Sequence, residues 1–206
     1  MNYDLLNYLK SLNNQDWLWC YENNSERELN DDGYSNRQFE QLIDAKLAQI
    51  SALIAECSDK PAIFLVETKP INFIAAFLAG VIAEVNLFLC DPAWQIQEWQ
   101  QVLNLVQPDL ILGDDTIKSL IAKLKLTPQN APDLIINAKF TEFIPQSLIM
   151  IPTGGSSGKI KFAMHSWDTL TTSVNGFKNF FKCQKINSVC TLPLYHVSGL
   201  MQLMRS

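Results

Sequence analysis

The residues best suited to chemistry lie in one short stretch, Thr153 to Lys161, which holds three of the chain's eight glycines. Glycine permits backbone conformations with positive φ and lets the main chain approach a ligand closely. Successive backbone N–H groups in such a turn form a concavity that binds anions. The hydroxyls of Thr153, Ser156 and Ser157 add donors, and the ammonium group of Lys161 adds positive charge. These residue types predict a loop that wraps a triphosphate.

Two common phosphate-binding motifs do not fit this stretch. A Walker A loop, G-x-x-x-x-G-K-[ST], needs glycine at position 153 and a hydroxyl residue at position 160, where the chain has Thr153 and Ile160. The dinucleotide motif G-x-G-x-x-G fails on spacing, because Gly154 and Gly155 are adjacent. A flexible loop without a ligand stays open as the structural alternative.

The stretch resembles the phosphate loop T-[SG]-G-[ST]-[TS]-G-x-P-K-G of the adenylate-forming superfamily, which includes acyl-CoA synthetases, luciferases and peptide-synthetase adenylation domains. The matching residues are Thr153, Gly154, Gly155, Ser156, Ser157, Gly158 and Lys161. Two positions differ, since Ile160 stands where the motif has proline and Phe162 where it has glycine. We expect both to shape the loop exit rather than to contact phosphate. Ser166 is a good N-cap for the helix that follows the loop.

A second segment, Leu192 to Leu200, resembles the superfamily's P-[LM]-[FY]-H-x-x-G sequence, which opens a helix beside the acyl pocket. The resemblance implies that His196 is a catalytic residue bordering the path of the acyl group and thiol. It also implies that His196, Ser198 and Gly199 line the substrate pocket. A histidine with a purely structural role is the alternative at position 196, and we assign that role to His165. A hydrolase pair of Ser198 and His196 is disfavoured, because no G-x-S-x-G motif is present.

The resemblance implies an ATP-dependent ligase. A carboxylate would attack the α-phosphate of ATP, with Mg²⁺ bridging phosphate oxygens, and CoA would then displace AMP. The variant T-G-G-[ST]-S-G-x-[IV]-[KR]-F-A is most similar to cyanobacterial-type 2-succinylbenzoate–CoA ligases of phylloquinone and menaquinone synthesis. Another acyl-CoA synthetase and a non-catalytic nucleotide-binding remnant stay open as alternatives.

The elements that must position these residues alternate between strands and helices. Apolar periodicity predicts helices over Asp4–Leu12, Arg37–Cys57, Lys69–Val85, Trp94–Val106 and Thr116–Leu124. Short apolar runs predict strands over Ala62–Val66, Asn86–Cys90, Asp109–Leu112, Leu134–Ile136 and Leu148–Pro152. This alternation predicts an α/β fold with a mostly parallel sheet flanked by helices. Ligands of such sheets bind beyond the carboxyl ends of the strands.

The resemblance also implies a division of the chain. Residues 1–36 would be an irregular helical segment, residues 37–145 an α/β subdomain, and residues 146–206 the start of a second subdomain that carries the phosphate loop. Together they would form the N-terminal part of the large domain of an adenylate-forming enzyme. The small C-terminal domain, with its catalytic lysine, and the segments that bind adenine and ribose are missing. We therefore expect a fragment that catalyses neither half-reaction alone.

Composition limits the remaining classes. The 206 residues are 48% hydrophobic and 18% charged, which is typical of a folded domain with a core. The net charge of −5 argues against a nucleic-acid-binding protein, although the segment from Lys159 onward carries six basic residues and one acidic residue. No apolar run reaches the ~20 residues of a spanning helix.

The cysteines and histidines point to a reducing compartment and to no metal site. No secretory signal is visible at the start, and the five cysteines include no C-x-x-C pair, so we expect reduced thiols in a cytoplasmic protein. Cys90 and Cys190 lie in apolar runs, which predicts that both are core residues. No metal site is predicted in this part of the enzyme. The sequence leaves the oligomeric state open.

Overall fold

The computed structural model describes residues 1–11, 18, 36–125, 147–154, 158–183 and 186–206. Its helices are α1 (Tyr3–Ser11), α2 (Asn36–Ile54), α3 (Pro70–Ala83), α4 (Ile96–Leu105), α5 (Asp115–Lys125), α6 (Trp167–Phe181) and α7 (Val197–Arg205). Its strands are β1 (Ala62–Val66), β2 (Asn86–Leu89), β3 (Leu110–Gly113), β4 (Ile149–Gly154) and β5 (Ile160–His165). The five strands form one sheet in the order β3-β1-β2-β4-β5.

The sheet confirms the predicted α/β class. The pairs β3–β1, β1–β2 and β2–β4 are parallel, and only β4–β5 is antiparallel. Successive side chains of a strand point to opposite faces, and both faces are buried here. Ile63 and Leu65 of β1 join a core with α1, α2, α3, α6 and α7, whereas Phe64 and Val66 join a core with α4 and α5. Helices therefore cover both faces of the sheet.

Helix α3 is apolar on all sides because it lies between α2 and the sheet. Eleven of its fourteen residues are buried. A helix that is hydrophobic all round is one that other elements surround. Pro70 occupies the first turn, where its missing N–H costs nothing, as the sequence predicts.

The predicted bounds of the helices and strands differ from the observed ones by three residues at most. Ser166 is the N-cap of α6, as predicted, and its Oγ accepts the N–H of Thr169 at 3.2 Å. The predicted strand Leu134–Ile136 lies outside the described residues. The proposed subdomain boundary at residues 145 and 146 stays a prediction, and β4, which follows it, is hydrogen-bonded to β2.

Strand β5 is an element that the sequence analysis missed. It alternates in burial, since Ile160 and Phe162 pack against the core with α4 while Lys161 is exposed. Its partner β4 is nearby in the chain, so a short connection closes an antiparallel hairpin between them. The glycine-rich stretch is therefore the loop of a β-hairpin.

The cysteine prediction is right at one position and wrong at another. Cys90 is fully buried, and burial together with the neighbouring carboxylate of Asp91 raises the pKa of its thiol well above the ordinary value. Cys190 is exposed, because its apolar run forms no strand and lies along the outside of α7, where Gln202 donates to the carbonyl oxygen of Val189. The four described cysteines are all free thiols.

Among the residues that the structure describes, no helix is both long and apolar enough to cross a membrane.

Candidate active site

The carboxyl ends of the four parallel strands meet at one edge of the sheet, where the polar residues gather. Thr68 follows β1 and donates from its hydroxyl to Asp114 Oδ2, which follows β3, at 2.6 Å. Asp91 follows β2, and Thr153 lies at the end of β4. This is the edge at which open α/β sheets bind ligands.

Strand register places two polar residues opposite each other at this edge. Asp91 and Thr153 each follow the last β2–β4 pair, Phe88 with Met150, by three residues. Thr153 in turn lies directly opposite Lys161 of β5. Directly opposite residues share a face of the sheet. The alternation of β4 puts Thr153 and Lys161 on the same face as Ile149 and Ile151, whose core includes residues of α6 and α7.

The hairpin loop joins two of the predicted phosphate-binding residues. Thr153 Oγ1 donates to the carbonyl oxygen of Lys161 at 3.3 Å, and both residues are exposed. Gly154 pairs with Ile160 at the base of the loop. Gly158 has a φ of 67°, and no atom lies within 4 Å of the position a Cβ would take. That conformation favours glycine.

Gly155, Ser156 and Ser157 lie outside the described residues, so their predicted roles at the phosphate stay predictions. The loop leads into a strand rather than into a helix. A Walker A loop uses the N-terminus of the following helix to hold phosphate, and none stands at this loop exit. No helix N-terminus is therefore available to a phosphate at this loop exit, and the predicted donors are loop N–H groups, hydroxyls and Lys161.

The exit of the loop is fastened to α4. The N–H of Ile160 donates to Gln101 Oε1 at 3.1 Å. The ring of Phe162 packs edge-on against Phe88, with the ring centroids 5.3 Å apart, and against Trp94 at 6.4 Å. Ile160 and Phe162 are the two residues that differ from the phosphate-loop motif. Ile160 is hydrogen-bonded to α4, and Phe162 packs against Trp94 just before α4.

The second predicted segment forms a tight turn into α7. The N–H of His196 donates to the carbonyl oxygen of Pro193 at 3.1 Å, and the N–H of Leu200 donates to the carbonyl oxygen of His196 at 2.9 Å. His196 is the N-cap of α7, but its imidazole makes no capping hydrogen bond. The half-buried ring lies against Tyr195, with centroids 4.8 Å apart.

The two other predicted pocket residues differ in environment. Ser198 is exposed in the first turn of α7. Gly199 is buried, and a Cβ there would overlap the carbonyl oxygen of Pro193. Gly199 thus allows α7 to sit directly on the turn that carries His196.

Tyr195 connects this turn to the edge of the sheet. Burial of its hydroxyl, a hydrogen bond with Asp91 and the negative charge of Asp91 all raise the pKa of Tyr195. Asp91 follows β2 and Thr153 lies near the end of β4, so Tyr195 and the hairpin loop are both associated with the carboxyl edge of the sheet. No sequence pattern identified a functional role for Asp91, Tyr195 or Gln101. A polar residue just past a buried strand was the available signal for Asp91.

A buried ion pair lies at the end of β1. Lys46 of α2 is 2.5 Å from Glu67, whose side chain is 3% exposed. Removing one partner of such a pair leaves an uncompensated charge. Glu67 therefore holds α2 at this edge of the sheet through Lys46. The described residues contain no cluster of three or more His, Cys, Asp or Glu side chains that could hold a metal ion.

Replacing Gly199 with alanine tests the close approach of α7 to the turn. We expect Gly199→Ala to lower the free energy of unfolding by about 1–3 kcal/mol, because the new methyl group overlaps a backbone oxygen. Urea unfolding measures the change. Gly176→Ala is the matched control in α6, where no atom lies within 4 Å, and we expect it to raise stability by roughly 0.5–1 kcal/mol. Equal effects of the two substitutions would contradict the close approach.

Tyrosinate absorbance during an alkaline titration tests the contact between Tyr195 and Asp91. The difference between wild type and Tyr195→Phe isolates the ionisation of Tyr195 from that of the other tyrosines. We expect Asp91→Asn to lower the pKa of Tyr195 because it removes a negative charge, and Asp44→Asn, an exposed change on α2, to leave it unaltered. An unchanged Tyr195 titration in Asp91→Asn would show that the two groups do not interact.

The same shift has a consequence for stability. The pKa of Tyr195 is raised in the folded state. The contribution of Tyr195 to the free energy of unfolding is therefore fully present below the unfolded pKa of ~10. It is lost as the pH rises through the folded pKa. The decline of stability at alkaline pH should therefore be shallower in Tyr195→Phe, as measured by urea unfolding at several pH values.

Comparison with known proteins gives similarity in structure only. No protein-family profile matches the sequence, and no significant match to a curated protein sequence was found. Three solved structures illustrate the similarity in fold. MatB from Rhodopseudomonas palustris bound to ATP has a TM-score of 0.61 and 18% identity, and the match covers 84% of this chain and 38% of MatB.

The second structure is the adenylation domain of a keto acid-selecting peptide-synthetase module bound to keto acyl adenylate, with a TM-score of 0.70 and 20% identity over 98% of this chain and 38% of that one. The third is O-succinylbenzoate coenzyme A synthetase (MenE) from Bacillus subtilis in complex with AMP, with a TM-score of 0.59 and 14% identity over 85% and 48%. This chain thus spans less than half the length of these proteins. It has the α/β fold of a part of the adenylate-forming ligases.

Proposed function

We propose that this chain is the phosphate-binding part of an ATP-dependent ligase that activates carboxylates as acyl adenylates. The observation that carries the proposal is the glycine-rich hairpin loop, with Thr153 opposite Lys161, at the carboxyl edge of the sheet. The fold supports it, since it is shared with ligases solved with ATP, AMP and an acyl adenylate.

The proposed first step joins two anions. A carboxylate oxygen forms a bond to the α-phosphorus of ATP, and the bond from that phosphorus to the bridging oxygen of pyrophosphate breaks. The loop N–H groups, the hydroxyls of Thr153, Ser156 and Ser157, and the ammonium of Lys161 would offset the charge of the departing pyrophosphate. Fixed donors of this kind act where charge develops, and removing one costs ~10²–10³ in rate.

The proposed second step uses the turn that carries His196. The thiol of CoA would give up its proton to solvent and attack the acyl carbon. The bond from that carbon to the phosphate oxygen of AMP would break, and AMP would leave with both electrons of that bond. His196 would border this path as the catalytic residue, and Ser198 and Gly199 would line the acyl pocket. Support comes from Asp91, which follows β2 at this edge and raises the pKa of Tyr195, the residue before His196. His196 also keeps its imidazole free of capping hydrogen bonds.

Mg²⁺ would accompany ATP through the phosphate oxygens. The described loop residues Thr153, Gly154, Gly158 and Lys161 include no carboxylate, so they offer the ion no charged ligand. Carboxylate and water ligands suit Mg²⁺. In this part of the chain the loop would therefore act on the nucleotide directly rather than through the ion.

We propose 2-succinylbenzoate as the first acid to test, with CoA as the acceptor, in phylloquinone or menaquinone synthesis in the cytoplasm. The sequence variant of the loop supports this choice. The fold does not rank it above other acids, because the peptide-synthetase domain has the higher TM-score, 0.70, against 0.59 for MenE. Another acyl-CoA synthetase activity is the alternative within the same reaction class.

A second candidate function is a nucleotide-binding module without turnover, in which the loop with Thr153 opposite Lys161 binds phosphate but no adenylate forms. The two candidates differ in ATP–pyrophosphate exchange, which requires adenylate formation, whereas both bind ATP. We expect the 206-residue chain to bind ATP and to form no CoA ester, and robust ester formation by the chain alone would contradict this.

Removing the charge of Lys161 tests the phosphate site. We expect Lys161→Ala to weaken binding of ATP and of inorganic tripolyphosphate by about 10- to 100-fold, because a hydrogen bond to a charged group contributes ~1.5–3 kcal/mol. Thr153→Ala should have a smaller effect in the same direction. Titration calorimetry on the 206-residue chain measures both affinities.

Lys123→Ala is the matched control, since Lys123 is exposed on α5, which lies on the other face of the sheet. It removes one positive charge without touching the loop. An equal loss of affinity in Lys123→Ala and Lys161→Ala would indicate that only net charge matters. Wild-type affinity in Lys161→Ala would remove the loop from the proposed site.

A further inference from the structure

We propose that Gln101 of α4 is a positioning residue that holds the exit of the phosphate loop, and with it Lys161, through the N–H of Ile160. The proposal rests on the proposed function, because it assigns Gln101 a role at the loop that would bind the phosphates. Its basis is the hydrogen bond from Ile160 N–H to Gln101 Oε1 at 3.1 Å, between half-buried residues far apart in the chain.

The two ends of the loop are held differently. The entrance, at Gly154, belongs to β4, which has β2 on one side and β5 on the other. The exit, at Ile160, belongs to β5, which lies at the edge of the sheet and has β4 as its only strand neighbour among the described residues. The exit therefore needs support from outside the sheet, and α4 supplies it.

The contact depends on the type of residue at position 160. Isoleucine has a backbone N–H, whereas proline, which the resembled motif has at this position, has none and fixes its own φ near −65°. A chain with proline restricts the loop exit through the ring. This chain lacks that restriction, and the amide of Gln101 fixes the exit instead. Positions 101 and 160 thus act as one unit.

Packing beside the hydrogen bond supports the same role. The ring of Phe162 is T-shaped to Phe88 and to Trp94, which lies two residues before α4. Ile160 and Phe162 also pack against the buried core that contains Trp99 of α4. Met164, farther along the same face of β5, is 49% exposed. The support from α4 is therefore confined to the half of β5 that adjoins the loop.

The position of Ile160 in β5 explains why its hydrogen bond to Gln101 would affect phosphate binding. Lys161 directly follows Ile160 and lies opposite Thr153. A shift of the Ile160 backbone moves the base of the Lys161 side chain with it. A neutral hydrogen bond has a modest net effect, so we expect its loss to weaken tripolyphosphate binding about fivefold.

The first arm of the test is independent of any ligand. Amide hydrogen exchange at Ile160, followed by NMR on the 206-residue chain, should be at least about tenfold faster in Gln101→Leu than in wild type, because the acceptor is lost. Gln101→Glu keeps an acceptor oxygen and should preserve the slow exchange. Gln100→Leu is the matched control, an exposed glutamine on the same helix.

The second arm measures tripolyphosphate affinity by calorimetry and includes Ile160→Pro. Gln101→Leu should weaken binding about fivefold relative to Gln100→Leu. In the Ile160→Pro background, Gln101→Leu should have no further effect, because the donor is already absent. If Ile160→Pro does not fold, the comparison of Gln101→Leu with Gln101→Glu in the exchange arm still decides whether the amide is held.

Two results would overturn the proposal. One is exchange at Ile160 that is as slow in Gln101→Leu as in Gln100→Leu. The other is faster exchange with no loss of affinity beyond that of Gln100→Leu, which would make the contact structural only. If wild type binds no tripolyphosphate, the proposed function fails, and exchange at Ile160 alone then decides whether Gln101 holds the loop exit.

Discussion

The site depends on the parallel pairing of β2 with β4. The pairing is short, with Leu87 opposite Ile149 and Phe88 opposite Met150. It is completed by the bond from Leu87 N–H to the carbonyl oxygen of Leu148 at 2.8 Å and by Asn86, whose Oδ1 accepts the N–H of Leu148 at 3.1 Å. Without it, the hairpin that carries the loop would have no fixed place beside Asp91 and the His196 turn.

From that pairing follows the placement of polar groups at the carboxyl edge. Asp91 follows β2, and Thr153 and Lys161 lie opposite each other on β4 and β5. Under the proposed function, Lys161 would bind phosphate. Asp91 raises the pKa of Tyr195, in the turn that holds His196.

The sequence predicts the sheet well because each buried strand can be recognised from a short stretch of the chain. Strands β1 and β2 are buried on both faces, so each is a continuous apolar run that flanking turns delimit. Strand β5 was missed because Lys161 and His165 interrupt its apolar residues and because the preceding glycines dominate the pattern. Cys190 was misplaced for the opposite reason, since its apolar run has no layer to pack on.

The candidate site was predictable only in part. The types and spacing of Thr153, Gly158 and Lys161 identify a loop, but the partners that fix it are set by tertiary structure. Neither the contact of Asp91 with Tyr195 nor that of Gln101 with Ile160 leaves a pattern along the chain. Residue type alone does not distinguish Gln101 from the exposed Gln100 beside it.

The order of formation is a last consequence of the β2–β4 pairing. Asn86 and Leu148 are separated by 62 positions, whereas Ile63 of β1 is 24 positions from its partner Leu87 in β2 and 47 positions from its partner Leu110 in β3. Closing a longer loop has a greater entropic cost, and distant contacts form late in folding. The scaffold of β1, β2 and β3 should thus assemble before the β4–β5 hairpin docks, so the carboxyl edge beside β4 is completed last and is the first to open when the fold is stressed.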